Sequence, residues 1–453
     1  MKDTRQELLT KSIWELMIKL SIPAIIGMVV IGLYTFMDGI FVGQLIGSKA
    51  MAAVSIAYPI TFLNNGIATL VGIGSASVLS RAIGESDKKT VDKIMGNLIG
   101  LVLILSSIIM IFGIIFAREL LQISGATGEI LELSTNYLRI IFMGSIFVNF
   151  TQSANMVMRG EGLMKKAMLI MGFGAILNII LDPIMISVFK DRGIEGVAIA
   201  TIIAQITQAI ITLYYFIRKS NRVKIHKIRI EKKISQNVIK VGVSAMLMQV
   251  LSMVQQTLLF RMAFKYGGDS NAIIMSAALR LQAFSFIPLW GMAQGLQPVV
   301  GMNYGAKLFD RVKKATNLFI LGATILGMCF WIPMELFPKT MLGLFIKDSN
   351  LVLSGVNNFR IFYSIFFFYG AMIMMITFFQ AIGNGKVAGK MVFLRQVIVF
   401  IPAMILMPKI FGLPAVWYTQ PIVDLFVIIL GALFLRKEYL KMDKNKENQL
   451  KIA

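Results

Sequence analysis

Residues 20–43 read LSIPAIIGMVVIGLYTFMDGIFVG, and this stretch decides the fold. One charged side chain, Asp38, stands among aliphatic and aromatic residues. Coiled as a helix rising about 1.5 Å per residue, the stretch is longer than the roughly 30 Å of a bilayer's hydrocarbon core. It spans a membrane. The whole chain repeats the pattern: 57% of its 453 residues are hydrophobic and 15% are charged, with a mean hydropathy of +0.76. A soluble domain carries about a quarter charged residues, and no soluble interior of this size could hide so much apolar side chain.

Eleven further apolar runs are long enough to span. The twelve together are predicted at about 14–43, 50–80, 94–117, 132–155, 165–188, 194–218, 236–265, 271–302, 315–337, 353–383, 387–411 and 413–436. Several exceed the minimum of about 20 residues, which implies tilt or bending within a span. The net charge of +22 could suggest a nucleic-acid partner, but the basic residues sit in short segments between apolar runs and not on one soluble face. They include Arg81, Lys88, Lys89 and Lys93 after the second run and Arg159, Lys165 and Lys166 after the fourth. Lys307, Arg311, Lys313 and Lys314 follow the eighth. Basic loops face the cytoplasm, so both termini are expected inside a cell (inner or plasma) membrane. The single cysteine, Cys329, allows no intramolecular disulfide. The polar leader Met1–Ser12 runs into a segment too long for a signal-peptide core, so the first helix is expected to stay in the mature protein.

The halves repeat at about 220 residues. Asn136-Tyr137-Leu138-Arg139-Ile140 matches Asn357-Asn358-Phe359-Arg360-Ile361, and Gly84 matches Gly305. Arg159-Gly160-Glu161-Gly162 is set against Ile382-Gly383-Asn384-Gly385 at an offset of 223, and Gly193–Val197 against Gly412–Val416 at 219. A duplicated unit of six helices keeps its orientation, and two such lobes suit alternating access around a cleft between them. The expected division is a lobe over 1–217, a linker over 218–235, a lobe over 236–440 and a tail over 441–453. The linker core, RKSNRVKIHKIRIEKK at 218–233, is read as a basic loop held near anionic headgroups. It carries the only histidine, His226, which is given no part in proton transfer.

Ionisable groups at membrane depth are costly and mark function by default. Asp38 is one such group. Asn178 and Asp182 lie four residues apart on one helix face, and Pro183 leaves a helical carbonyl without its usual donor nearby. A carboxylate, an amide oxygen and a loose carbonyl suit a proton or a small hard cation such as Na+. The runs 236–265 and 353–383 contain no Asp or Glu, which directs the coupling expectation to the first half. Glutamines 249, 255, 256, 282, 294 and 297 gather in the seventh and eighth runs, where some should line the cleft. Met253 and Met292 are placed beside Gln255, Gln256, Gln282 and Arg280 as cleft candidates, because flexible thioethers repack around varied ligands. Arg139 and Arg360 read as structural, and Asp424 is the remaining mid-helix acid.

Several motifs together resemble the multidrug and toxic compound extrusion (MATE) family over essentially the whole chain, in its bacterial and archaeal form. They are Ile22-Pro23 with Tyr34 and Asp38–Gly43, Arg159–Gly162, Asn178–Pro183, Gln297-Pro298 with Asn303–Ala306, and Gln380–Gly385. The resemblance implies an all-α, V-shaped pair of six-helix lobes. It implies export of amphipathic, often cationic drugs in exchange for protons or sodium ions. It also implies that Tyr34, Asn155 and Thr201 join Asp38, Asn178 and Asp182 in a polar cluster, and that Pro23 acts as a hinge. No cofactor is expected beyond the coupling ion, no partner beyond drugs and membrane lipids, and a monomer. A lipid-linked oligosaccharide flippase is the alternative of the same architecture. No phosphate loop, HExxH or nucleophile–base pair points to an enzyme.

Overall fold

The computed structural model describes residues 4–452, and the side chains of all of these except 34–36, 48, 191 and 448–452. Among the described residues every regular element is helical. A short α1 (Thr4–Thr10) precedes α2 (Ile13–Phe41), α3 (Ser48–Glu85), α4 (Lys88–Ile123), α5 (Gly128–Met143), α6 (Ser145–Gly160), α7 (Met164–Phe189) and α8 (Gly193–Tyr214). After the linker come α9 (Lys232–Gly305), α10 (Phe309–Leu336), α11 (Pro338–Gly343), α12 (Ser349–Tyr363), α13 (Tyr369–Ala381), α14 (Gly385–Phe393), α15 (Ile401–Phe411) and α16 (Leu413–Ile452).

These elements make the twelve spans. The 74 residues of α9 are two spans, because Gly268 breaks the helix at φ 65° and ψ −165°. The fourth predicted run is a pair, α5 and α6, bent by 55°. The tenth is likewise broken, between α12 and α13, by a tight turn at Phe366–Phe368. Apolar periodicity does not register such bends, since both arms remain hydrophobic.

The outward faces are apolar. On α4, Ile104, Ile108, Ile111 and Ile115 form one stripe, each more than half exposed. Asn97 and Ser106 of the same helix are fully buried. Oil outside and polarity inside is the pattern of a chain whose solvent is lipid.

The duplication is written in the backbone. Left-handed residues recur in register: Gly47 with Gly268, Ser86 with Lys307, and Gly162 with Gly383. Each of these pairs is 221 residues apart, so the glycine turn after α6 aligns two residues away from the 223 offset expected from sequence. Lys190 and Gly412, 222 apart, form a fourth pair in place of the 219 offset. Arg139 Nε donates to the carbonyl of Ile114 at 3.3 Å, and Arg360 Nε to that of Glu335 at 2.9 Å. Both repeated arginines thus tie their helix to the preceding membrane span of their own half, α5 to α4 and α12 to α10.

The halves meet where α3 runs against α9, the most extensive helix pair in the molecule. The contact is reciprocal. A Cβ on Gly84 would stand 2.1 Å from the Met302 carbonyl oxygen, and one on Gly305 would stand 2.2 Å from that of Arg81. Only glycine lets the two backbones approach so closely. Residues 220–231 of the basic linker lie without helix against α4. There Asn97 Oδ1 accepts from the backbone of Glu231 and from Ser235 Oγ, both at 2.9 Å. At the same end α1 packs on the lobe junction: Asn303 Nδ2 donates to the Leu8 carbonyl at 3.1 Å, and Arg311 Nη2 to the Lys11 carbonyl at 2.7 Å.

Candidate functional site

In the first half, α2 and α7 pack together. The fold sets the Asp38 carboxyl within interaction range of the Asp182 carboxyl. The i, i+4 spacing puts Asn178 one turn before Asp182, and Asn178 Nδ2 donates to Asp182 Oδ1 at 3.0 Å. Asn178 and Asp182 are both buried. Three oxygens of this trio, Asp38 Oδ1, Asp182 Oδ2 and Asn178 Oδ1, are buried with no hydrogen-bond partner among the described residues. An ionised carboxylate and an amide oxygen only accept, so the cluster lacks positive hydrogen. Two adjacent unit charges repel by about 4 kcal/mol at 4 Å and an effective dielectric near 20. A shared proton or a small cation is what such a set of oxygens binds.

Two other residues expected in this cluster make the following hydrogen bonds. Asn155 Nδ2 donates to the carbonyl of Ala167 at 2.9 Å, joining α6 to α7. Its Oδ1 has no partner among the described residues. Thr201 Oγ1 donates to its own helix at Val197, 3.1 Å away. The Tyr34 side chain lies outside the described residues, and Pro23 is buried within α2. Among the described residues no group of three His, Cys, Asp or Glu side chains could hold a metal ion.

The second half carries a cavity of about 190 Å³. Gln255, Gln256, Gln282 and Met253 line it. Two other cleft candidates are elsewhere: Arg280 lines a separate open groove with Phe260, Phe264 and Asp269, and Met292 is buried in apolar packing. The cavity wall also holds groups that sequence reading did not single out. Arg395 Nε donates to Asp424 Oδ1 at 2.6 Å, and Arg395 Nη2 donates to the Tyr369 hydroxyl. The guanidinium also lies 5.1 Å from the Tyr369 ring centroid. Gln396 Nε2 reaches Gln255 Oε1 at 3.4 Å. Arg395 was findable: it is an arginine inside the eleventh apolar run, and the intramembrane-charge rule applies to cations as it does to acids. Paired with Asp424, it leaves that acid neutralised, in contrast with the unpartnered oxygens of the first half.

A two-lobed, twelve-span helical protein with an acid pair inside one lobe and a polar chamber in the other belongs to the secondary-transporter class. The MatE family model matches residues 23–184 and again 244–405, the second match starting 221 residues after the first. The chain is a member of the MATE family of membrane transporters. It is 26% identical over 451 residues to the multidrug export protein MepA of Staphylococcus aureus strain MSSA476, covering 98% of this chain and 99% of that one. Among solved structures, the MATE multidrug transporter DinF-BH, solved as a complex, is 34% identical. It superposes at a TM-score of 0.87 over 93% of this chain and 95% of that one. An outward-facing multidrug resistance MATE transporter reaches 0.91 at 27% identity, over 98% and 99% of the two chains.

Proposed function

We propose that this chain is a multidrug exporter of the cell membrane that exchanges amphipathic, often cationic compounds for protons or sodium ions by alternating access. The observation that carries the reading is the oxygen trio of Asp38, Asp182 and Asn178, buried and short of donors. Asp38 is on α2 and Asp182 on α7, so a change in the packing of these helices changes the ion site. Ion binding and helix movement are then one event, which is what coupling requires. Pro23, in the same helix as Asp38, is the hinge in this reading. Asn155 and Thr201 share the ion-coupling role of this cluster in the same reading, and Tyr34 is assigned to it on the family resemblance.

The names of the relatives support multidrug cargo. So does the second-half chamber, where neutral amides and a thioether offer adaptable contacts without a fixed charge pattern. The moving bodies are the lobes 1–217 and 236–440, joined by the linker 218–235, with both termini and the linker on the cytoplasmic side. The transporter works as a monomer in contact with membrane lipids.

Purified protein in proteoliposomes loaded with ethidium tests the proposal. A proton gradient and then a sodium gradient are imposed on wild type, Asp38→Asn and Asp182→Asn. Gradient-driven dye movement in wild type, lost in both variants while they remain monodisperse, is the expected result. Unchanged movement in both variants refutes the coupling role.

A further inference from the structure

Arg159 ends α6 as the last residue but one, and sequence reading counted it among the basic residues of the short segments between apolar runs. The fold buries it instead, to 4% exposure. Among the described residues its single hydrogen bond runs from Nη2 to the thioether of Met171 at 2.8 Å, a weak acceptor, and no carboxylate pairs with it. A guanidinium has five N–H donors and is always charged. A buried cation without a counter-charge is among the most costly groups a protein can hold. Glu161, two residues on, faces Arg222 and Lys166 instead.

The space beside Arg159 gives the charge a purpose. It lines a cavity of about 30 Å³ between the lobes, walled by Met156 on one side and by Trp290, Gln294 and Gln297 on the other. By the volume one water needs, this holds two waters or one carboxylate head. Met248, Ile373 and Ile376 line both this cavity and the amide chamber of about 190 Å³. A cavity of about 150 Å³ accepts a benzene ring, so the chamber has room for one aromatic body.

We infer that Arg159 and the adjoining chamber form a binding site for an aromatic carboxylate, with the carboxylate on the buried guanidinium and the ring among the amides and methionines. The site holds the anionic group of such a compound. It rests on the exporter reading only in taking its occupant to be cargo. A free small anion such as chloride shares the same chemistry as an occupant.

The test uses calorimetric titration of the purified full-length protein in detergent with benzoate and with benzamide, its neutral isostere. Benzoate is expected to bind wild type at least tenfold more tightly than benzamide, and Arg159→Gln to remove that preference, since charge-assisted bonds to a buried guanidinium are worth that much. Arg159→Lys keeps the charge without the fork and should fall between. Equal binding of benzoate and benzamide by wild type overturns the proposal, even if the glutamine variant fails to fold. So does full benzoate affinity in both variants.

Proteoliposomes then separate the two occupants. Loss of 9-anthracenecarboxylate efflux in Arg159→Gln with ethidium efflux intact identifies the carboxylate as cargo. Loss of benzoate binding with both fluxes intact, and displacement of benzoate by chloride in wild type, identifies a small anion held at the same site. Absence of any flux in wild type would sink the exporter reading and leave the titration result standing.

Discussion

The reciprocal glycine contact between the lobes makes a prediction whose size follows from geometry. In Gly84→Ala the new methyl would stand 2.1 Å from the Met302 carbonyl oxygen, and in Gly305→Ala it would stand 2.2 Å from that of Arg81. The closest comfortable carbon–oxygen approach is about 3.3 Å, so either methyl forces α3 and α9 apart by about 1 Å. The obstacle is backbone and no rotamer change relieves it. Overpacking of this kind costs about 1–3 kcal/mol.

The two substitutions push on the same interface from opposite sides, so separation caused by one makes room for the other. Each single variant should therefore lose thermal stability by a similar amount. The double variant should lose less than the sum, with a coupling of about 0.5–3 kcal/mol. Thermal unfolding in detergent, followed by size-exclusion with a fluorescent fusion, reads all four corners of the cycle. A silent Gly305→Ala, or strict additivity, would refute the idea that the halves meet across a pseudo-twofold contact at this point.

Three further predictions concern polar groups. Asn178→Ala deprives Asp182 Oδ1 of its donor, and should slow ion-driven dye efflux roughly tenfold with little change in folding yield, read in the same proteoliposomes. Arg395→Met leaves Asp424 buried without its guanidinium. That should cost about 3–5 kcal/mol, and Arg395→Met with Asp424→Leu should recover most of it, measured as yield and melting temperature. Burial in the turn between α6 and α7 pushes Glu161 up from 4.5 to about 7, although Arg222 and Lys166 oppose the shift. The folded state thus holds this proton more tightly than the unfolded chain does, and stability falls as pH rises from about 4.5 to 7. Glu161→Gln should raise stability by up to about 3 kcal/mol at pH 8 and by little at pH 4.5. Equal gains at both pH values would refute the assignment.

The sequence alone determined that this is a membrane protein of twelve spans in two repeated halves. Lipid demands long apolar helices, and composition reports that demand directly. The i, i+4 partnership of Asn178 with Asp182 was likewise legible, because both residues lie on one helix and helical geometry is fixed. The bend between α5 and α6 and the break between α12 and α13 were not, since an interruption inside oil changes no residue's polarity. The two-residue error of setting Gly162 against Gly385, where the backbone pairs it with Gly383, arose because the matched residue types, Gly-x-Gly, recur at closely spaced positions.

The meeting of Asp38 on α2 with Asp182 on α7 was expected from the family resemblance, whereas only the tertiary structure set Arg395 against Asp424 and moved Arg280 and Met292 away from the amide chamber. It also buried Arg159, which sequence reading had counted with the basic residues between apolar runs. Each of these depends on which face of a helix meets which neighbour. In a chain whose helices are apolar nearly all round, hydrophobic periodicity carries little of that information. The packing of small residues such as Gly84 and Gly305 decides it, and that packing exists only once the two halves have met.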